Sequence, residues 1–311
     1  MNGRLNIGTR SSALAQAQSA LVEEALLASS PELTFHRELI QTAGDIRTDV
    51  PLHQVNQLTN TQDKGVFIAA LEEALAAGQI DCAVHSLKDM PGTLDDRFEI
   101  AAVLPREVIH DVLVVKEGAD LQAPHIGTSS VRRVSFAQAY WQGRARMSPI
   151  RGNVATRLGK LVANPEMDAI LLAAAGLNRL HYPSDAFEVE GQMLKVMPLP
   201  VDDFMPALGQ GAIAIEVLKG DDKVKALFAS INDAPTEAKI RCEREFLRCL
   251  NADCSCPVGG YSRIEGDVLQ LCITYFTPKG QRIRLWDQGL VAEPELLGSK
   301  LYDQLLAQLS D

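Results

Sequence analysis

The chain has 311 residues, 46% hydrophobic and 23% charged, enough to bury a sizeable core and too many for one ordinary domain, so two or three compact domains are expected. Its 40 acidic residues against 30 basic ones leave a net charge of −10, which repels a polyanion and sets nucleic acid aside as a partner. The longest uncharged apolar stretch, Ala169 to Leu177, is far short of the roughly 18 residues of a membrane span, and Met1 to Asn6 carry no hydrophobic signal region, so a soluble, cytoplasmic protein with no membrane partner is expected.

The chain opens with a strand candidate, Leu5 to Thr9, then Arg10-Ser11-Ser12, then apolar residues at 13, 14, 17, 21, 22 and 25 that fit a helix. A second strand is expected over Phe35 to Gln41, and the polar run Asn56 to Asp63 suits an exposed, mobile loop ahead of a helix from Val66 to Ala77. Strand candidates follow at Ile80 to Val84, Phe98 to Val103 and Asp111 to Val115, an alternation that predicts a largely parallel α/β sheet. Ile126-Gly127-Thr128-Ser129-Ser130 nearly repeats Ile7-Gly8-Thr9-Arg10-Ser11-Ser12, again before a helix, which points to two similar α/β domains. Strands over Met147 to Ile150 and Asp168 to Ala173 precede helices over Val154 to Val162 and Ala174 to Leu180. Beyond Leu208-Gly209-Gln210-Gly211-Ala212, the strand Ile213 to Val217 is placed to return to the first domain. A charged helix, Thr236 to Leu250, a cysteine-bearing loop, two or three antiparallel strands up to Trp286 and a helix over Pro294 to Leu309 describe a small α+β domain.

Three places carry candidate chemistry. Between Asp120 and Glu166 no acidic residue occurs, yet Arg132, Arg133, Arg144, Arg146, Arg151, Arg157 and Lys160 do. Guanidinium forks match carboxylates, and Thr128-Ser129-Ser130 at a strand-to-helix junction adds hydroxyl and backbone donors, so a small polycarboxylate would suit this segment. The alternative is a solvated basic face or salt bridges to an acidic neighbour. In Ala83 to Pro91 a strand leaving an apolar core delivers Ser86, Lys88 and Asp89 within four residues, a position where α/β sheets bind ligands. There Asp89 is suited to acid/base work or to holding a developing cation, and Lys88 to pairing a carboxylate; the bland alternative is a surface Lys-Asp pair. His85 reads as a packed, hydrogen-bonded histidine. In Asp253-Cys254-Ser255-Cys256-Pro257-Val258-Gly259 a loop cysteine is a nucleophile, a metal ligand or an attachment point. The six cysteines, at 82, 242, 249, 254, 256 and 272, form neither a secreted disulfide framework nor the paired spacing of a zinc module, so free thiols and no metal are expected. Phosphate-loop and dinucleotide glycine motifs are missing, so no nucleotide cofactor is indicated.

In order and over essentially the whole chain, these pieces resemble the porphobilinogen deaminase (hydroxymethylbilane synthase) family. The matching motifs are Ile7 to Ala15, Ala83 to Pro91, Gly127 to Arg133, Arg151-Gly152-Asn153-Val154-Ala155-Thr156-Arg157-Leu158, Ala175 to Leu180 and Leu208 to Ala212. The resemblance implies an α/β fold of two periplasmic-binding-protein-like domains plus a small α+β C-terminal domain. On this chain they take residues 1–104 with 207–230, residues 105–206, and residues 231–311, the last carrying a cofactor cysteine. It implies a cytoplasmic transferase of haem biosynthesis, a monomer, that joins four porphobilinogen molecules head to tail into hydroxymethylbilane with loss of ammonia. The primer implied is a dipyrromethane cofactor in thioether linkage to Cys254, which stands three residues before Pro257-Val258-Gly259, Cys256 falling where the family has an apolar residue. Asp89 is implied to stabilise cationic pyrrole nitrogens and assist proton transfer. Ser86, Lys88, Asp89, Thr128, Ser129, Arg132 and Arg133 are implied as cofactor contacts, and Arg10, Ser12, Lys64, Phe67, Arg151, Arg157, Arg179 and Gln210 as substrate or chain contacts.

Three positions depart from the family pattern: Asn56 to Asp63 replaces a loop with a lysine and two glycines, Ala43 replaces an arginine, and His110 stands for a second arginine. The first two remove positive charge or backbone freedom, and so support a rival reading, a catalytically impaired paralogue that binds porphobilinogen or another polycarboxylate. Arg10, Lys88, Asp89, Arg132, Arg133 and Cys254 favour the enzyme, because a pure binder needs no attachment thiol. A redox protein built on Cys254 and Cys256 would instead hold metal or form a reversible disulfide.

Overall fold

The computed structural model describes residues 3–41, 68–251 and 256–310. Lys64, Phe67, Cys254, Ala43 and the polar run 56–63 lie outside the described residues. In chain order the first elements are β1 (Arg4–Arg10), α1 (Ala13–Ser29), β2 (Thr34–Ile40), α2 (Ala69–Ala76), β3 (Cys82–Ser86), a 3₁₀ turn at Leu87–Asp89, and β4 (Phe98–Val103). There follow β5 (Asp111–Lys116), β6 (His125–Gly127), α3 (Val131–Tyr140), β7 (Arg146–Ser148), α4 (Val154–Ala163), β8 (Ala169–Ala173), α5 (Ala174–Arg179), β9 (Ala186–Val189) and β10 (Gln192–Pro198). The last are β11 (Ile213–Leu218), α6 (Asp222–Phe228), α7 (Ala234–Cys249), β12 (Val258–Glu265), β13 (Val268–Phe276), β14 (Arg282–Leu290) and α8 (Pro294–Ser310). Among the described residues no helix is long and apolar enough to cross a membrane.

The first sheet has the order β2-β1-β3-β11-β4 and the second β7-β6-β8-β5-β10-β9. In each, one central strand is flanked by two parallel neighbours, β1 by β2 and β3, and β6 by β7 and β8. Next to the third strand of each trio lies an antiparallel one, β11 against β3 and β5 against β8. The near-repeat therefore falls on equivalent strands of two sheets with the same layout. Its glycines face similar neighbours: a Cβ at Gly8 would meet Ile80 Cδ1, and one at Gly127 would meet Met167 Sδ.

Both sheets are mixed, not largely parallel as the alternation predicts. Two of the odd strands are those the chain supplies while crossing from one sheet to the other, β5 just after β4 and β11 after β10; the third, β9, is reversed by its hairpin with β10. Local patterning fixes that a segment is a strand but not which way it runs. The β9–β10 hairpin is absent from the sequence-based reading; its turn is Glu190-Gly191, both at positive φ (49° and 81°), the conformation a two-residue hairpin loop requires. Helix α6 is likewise an addition.

The third sheet, β12-β13-β14, is antiparallel. One face is covered by α7 and α8 through Phe246, Leu271, Leu285, Leu301 and Leu305. The other meets the second sheet's core, where Phe136 and Phe276 pack edge to face with centroids 5.0 Å apart.

Where the two crossing segments meet α7, a single carboxylate gathers them. Glu243 is fully buried and accepts from Arg106 Nη1 (2.6 Å) and Nη2 (3.0 Å), the backbone N–H of Gly209 (2.6 Å), and Ser262 N (3.1 Å) and Oγ (2.5 Å). Arg106 also donates through Nε to Gln210 O at 2.8 Å. The outgoing segment, the returning segment and the third sheet are thus tied at one point. Replacing Glu243 by Gln leaves the Arg106 guanidinium buried without its counter-charge, at a cost of about 3–5 kcal/mol. Urea unfolding of Glu243→Gln checks this, and a loss below about 1 kcal/mol, the range of an exposed pair, would show that the tie is dispensable.

Candidate active site

Three helices begin at one cleft. Ser12 caps α1 by accepting from Ala15 N (3.3 Å), Ser130 caps α3 from Arg133 N (3.3 Å), and Asn153 caps α4 from Thr156 N (2.9 Å). All three caps line the cleft, and none of the helices has an acidic residue in its first turn, so the positive ends of their dipoles face the opening uncompensated. The cleft holds about 1180 Å³, above the roughly 300–1,000 Å³ of an ordinary small-molecule site, so it has room for a chain of several rings.

The expected residues converge there from the first two sheets and from the segment that returns between them. Arg10, Ser12, Ser86, Lys88 and Asp89 come from the ends of β1 and β3; Ser129, Arg132, Arg133, Arg151, Arg157 and Arg179 come from the second sheet's helices and loops; Gln210 comes from the returning segment. Asn251 and Cys256, which flank residues 252–255 in the sequence, also line it. Thr128 does not: it is buried, and its Oγ1 accepts from Ser130 N at 3.2 Å, bracing the turn instead of facing the cleft. The acidic-free run also divides. Arg144 turns to Trp141 O and Arg146 pairs with Glu166 on the surface, while Lys160 reaches Arg151 O at the cleft wall. His85 is a packed histidine, 2.9 Å from the buried Glu216.

Beneath the cleft lies a group the motifs do not show. Asp111, fully buried at the start of β5, accepts from Arg132 Nη2 (2.7 Å), Arg133 Nη2 (2.8 Å) and Gln210 Nε2 (3.0 Å). Burial alone would push its carboxyl up, but the two guanidiniums outweigh that and hold it well below the usual carboxylate range. Arg132 Nη1 and Arg133 Nη1 are taken by Met205 O and Leu171 O. Arg133 Nε, buried, has no acceptor among the described residues. A charged residue opening an apolar strand is the one sequence signal that marks Asp111.

The cations exceed what Asp111 neutralises. Burial, then Arg133, lowers Lys88 to about 8 against the opposing pull of Asp89 and Asp111. Burial, then Arg133, also lowers Arg157 to about 10, with Arg151 and Arg10 acting the same way and Asp89 opposing. Crowded, desolvated cations that depress one another's affinity for protons make a receptor for an anion with several charges.

Residues 5–226 match the family described as porphobilinogen deaminase, dipyromethane cofactor binding domain, and residues 238–307 match porphobilinogen deaminase, C-terminal domain. The chain belongs to the porphobilinogen deaminase family. Among curated relatives, the porphobilinogen deaminase of Roseiflexus castenholzii is 39% identical over 310 residues, covering 98% of this chain and 97% of that one. That of Nitrobacter hamburgensis is 41% identical over 301 residues, 94% of this chain and 90% of the relative. A solved structure of the L-cystine solute receptor of Neisseria gonorrhoeae is 15% identical with a TM-score of 0.38 over 78% of this chain and 91% of that one, too slight a likeness to support an inference.

The residues present fit the family's dipyrromethane cofactor, whose acetate and propionate groups need cationic partners. Lys88, Arg132 and Arg133 stand together at the cleft floor, and the unaccepted Nε of Arg133 is a donor still to be satisfied.

Asp111→Asn should cost about 3–5 kcal/mol, because two buried guanidiniums lose their shared counter-charge. Since the Asp111 carboxyl titrates lower in the folded chain than in the unfolded one, its contribution is present above the unfolded carboxylate range, near ~3.9, and is lost as pH falls below it. Chemical denaturation at neutral and acid pH should therefore show the variant and the parent converging in acid; a gap that stays constant would count against this assignment.

Proposed function

We propose that this chain joins four porphobilinogen molecules head to tail into hydroxymethylbilane, releasing ammonia, as a transferase of haem and tetrapyrrole biosynthesis. The observation that carries the proposal is the cleft itself: Asp89 set among Arg10, Lys88, Arg132, Arg133, Arg151, Arg157 and Arg179 in a chain of this family. The dipyrromethane primer, when bound, supplies a free pyrrole α-carbon as the nucleophile. Cys254 is the residue assigned to hold it. Lys88, Ser129, Arg132 and Arg133, with Ser86 beside them, bind the primer's carboxylates. Arg10, Ser12, Arg151, Arg157 and Arg179 bind those of substrate and growing chain, with Lys64 and Phe67 assigned to the same side.

Asp89 is the group that meets positive charge. It sits in the 3₁₀ turn at the end of β3, where it already acts on the Lys88 cation of the same turn and on the Arg157 cation across the cleft. A carboxylate so placed stabilises charge on a substrate pyrrole nitrogen and exchanges a proton there, while the surrounding guanidiniums keep the substrate's carboxylates away from it. Three domains, residues 1–104 with 207–230, 105–206 and 231–311, carry these groups. The protein acts as a cytoplasmic monomer, without nucleic acid or membrane.

The intact mass of the denatured protein tests the primer. Two condensed porphobilinogen units should add to the calculated mass, vanish in Cys254→Ala and persist in Cys256→Ala. An unmodified mass that survives incubation with porphobilinogen or hydroxymethylbilane would establish the impaired, binding paralogue instead. In the holoenzyme, Asp89→Asn should leave the melting temperature within a few degrees while reducing turnover by about 10²–10⁴-fold, the worth of a positioned acid/base group. Near-parental turnover in that variant would sink the assignment of Asp89.

A further inference from the structure

Gln210 lies between the two glycines of the returning segment, Gly209 and Gly211, both at positive φ (77° and 87°). A Cβ at Gly211 would stand 2.5 Å from Glu107 O, so the two crossing segments press together at this point. The Gln210 side chain is fully buried, although it forms part of the cleft floor. Its Nε2 donates to Ile109 O (2.7 Å) and Asp111 Oδ1 (3.0 Å), and its Oε1 accepts from Lys88 Nζ (3.1 Å). The amide has one workable orientation, because turning it over would set its oxygen against a carbonyl and a carboxylate and its NH₂ against an ammonium. Both of its N–H groups are thereby used.

The ammonium of Lys88 has crowded surroundings: Asp89 on its own turn, Arg132 and Arg133 from α3, and Asp111 from β5. Two guanidiniums repel it; Asp89 attracts it from the same turn, and Asp111 attracts it too but is already shared between the guanidiniums. The hydrogen bond that fixes its position goes to the neutral carbonyl of Gln210, polarised by donation to Asp111 on the other side of the amide. The same residue's backbone oxygen accepts from Arg106, itself fixed by Glu243.

We infer that Gln210 is a positioning residue for the proposed reaction, a buried amide that sets the place and the charge of Lys88 by joining it to Asp111. The inference rests on Lys88 binding carboxylates as described above. The primer's carboxylate then reaches Lys88, and Gln210 acts only through it.

The test reads Lys88 directly. In protein isolated as it is expressed and labelled with ¹³C-lysine, the Cε resonance that disappears in Lys88→Met is followed through an alkaline titration. In Gln210→Met, which keeps the bulk and loses the acceptor, the midpoint should fall by about one pH unit, the worth of a hydrogen bond to a charged group. In Gln210→Glu, of the same shape but bearing a charge, it should rise by at least as much. The alkaline limb of kcat/KM should move with the resonance in each variant. A midpoint unmoved in both variants, or a raised KM with an unmoved midpoint, overturns the inference, the second result making Gln210 a substrate contact. If Gln210→Met does not fold, Gln210→Glu decides alone. Absence of turnover in the parent protein counts against the proposed function and leaves the titration to judge this inference.

Discussion

Everything in this molecule that must stay in register passes the buried carboxylate of Glu243. Two segments carry the chain between the first and second sheets, and Arg106 on one and Gly209 on the other share its two oxygens with Ser262 of the third sheet. An ion pair in such a place contributes little net energy compared with apolar packing, but losing one partner is costly. The five donors to Glu243 come from both crossing segments and the third sheet, so it ties the three to one another at one point. The lower cluster follows from it, since the residue after Gly209 is Gln210, whose position determines where Lys88 and Asp111 meet.

The cleft is therefore assembled from small local devices aligned by a non-local one. Each wall is a strand end followed by a capped helix, used once with Thr9 to Ser12 and again with Thr128 to Ser130. Repeating one device brings several helix N-termini to the same opening and concentrates positive potential inside a chain whose net charge is −10. The acidity elsewhere keeps the exterior from competing for the same ligand. Asp111 moderates the concentration, neutralising part of the charge of Arg132 and Arg133 so that both can be buried without a ligand in place.

What could be read from the sequence divides along the same line. That Ser12, Ser86, Lys88, Asp89, Ser129 and the arginines at 10, 151 and 157 line one cleft was legible because each belongs to a short motif at a strand end or helix start, and such motifs carry their own geometry. Thr128 shared that motif but packs inward, a difference of one position in a turn that no pattern resolves. Asp111 and Glu243 were not legible as site-builders. Each looks like an ordinary charge, and its partners lie on other elements, 21 and 22 residues on for Asp111 and 137 residues away in the case of Arg106 and Glu243. Strand direction was hidden for a related reason: β5 and β11 are buried along almost their whole length, as a central parallel strand would be, and only the crossing of the chain makes them antiparallel.

That crossing also orders the molecule in time. β11 lies between β3 and β4, yet it is made only after residues 104–212. Until Ile213 is available, β3 and β4 have no neighbour on the sides that will face each other, two open edges awaiting one late strand. The second sheet has no such debt, because β5 to β10 arrive in one unbroken run from Asp111 to Pro198. The half of the cleft that carries most of the arginines is thus the first able to close during synthesis, and the half that carries Lys88 and Asp89 is completed against it.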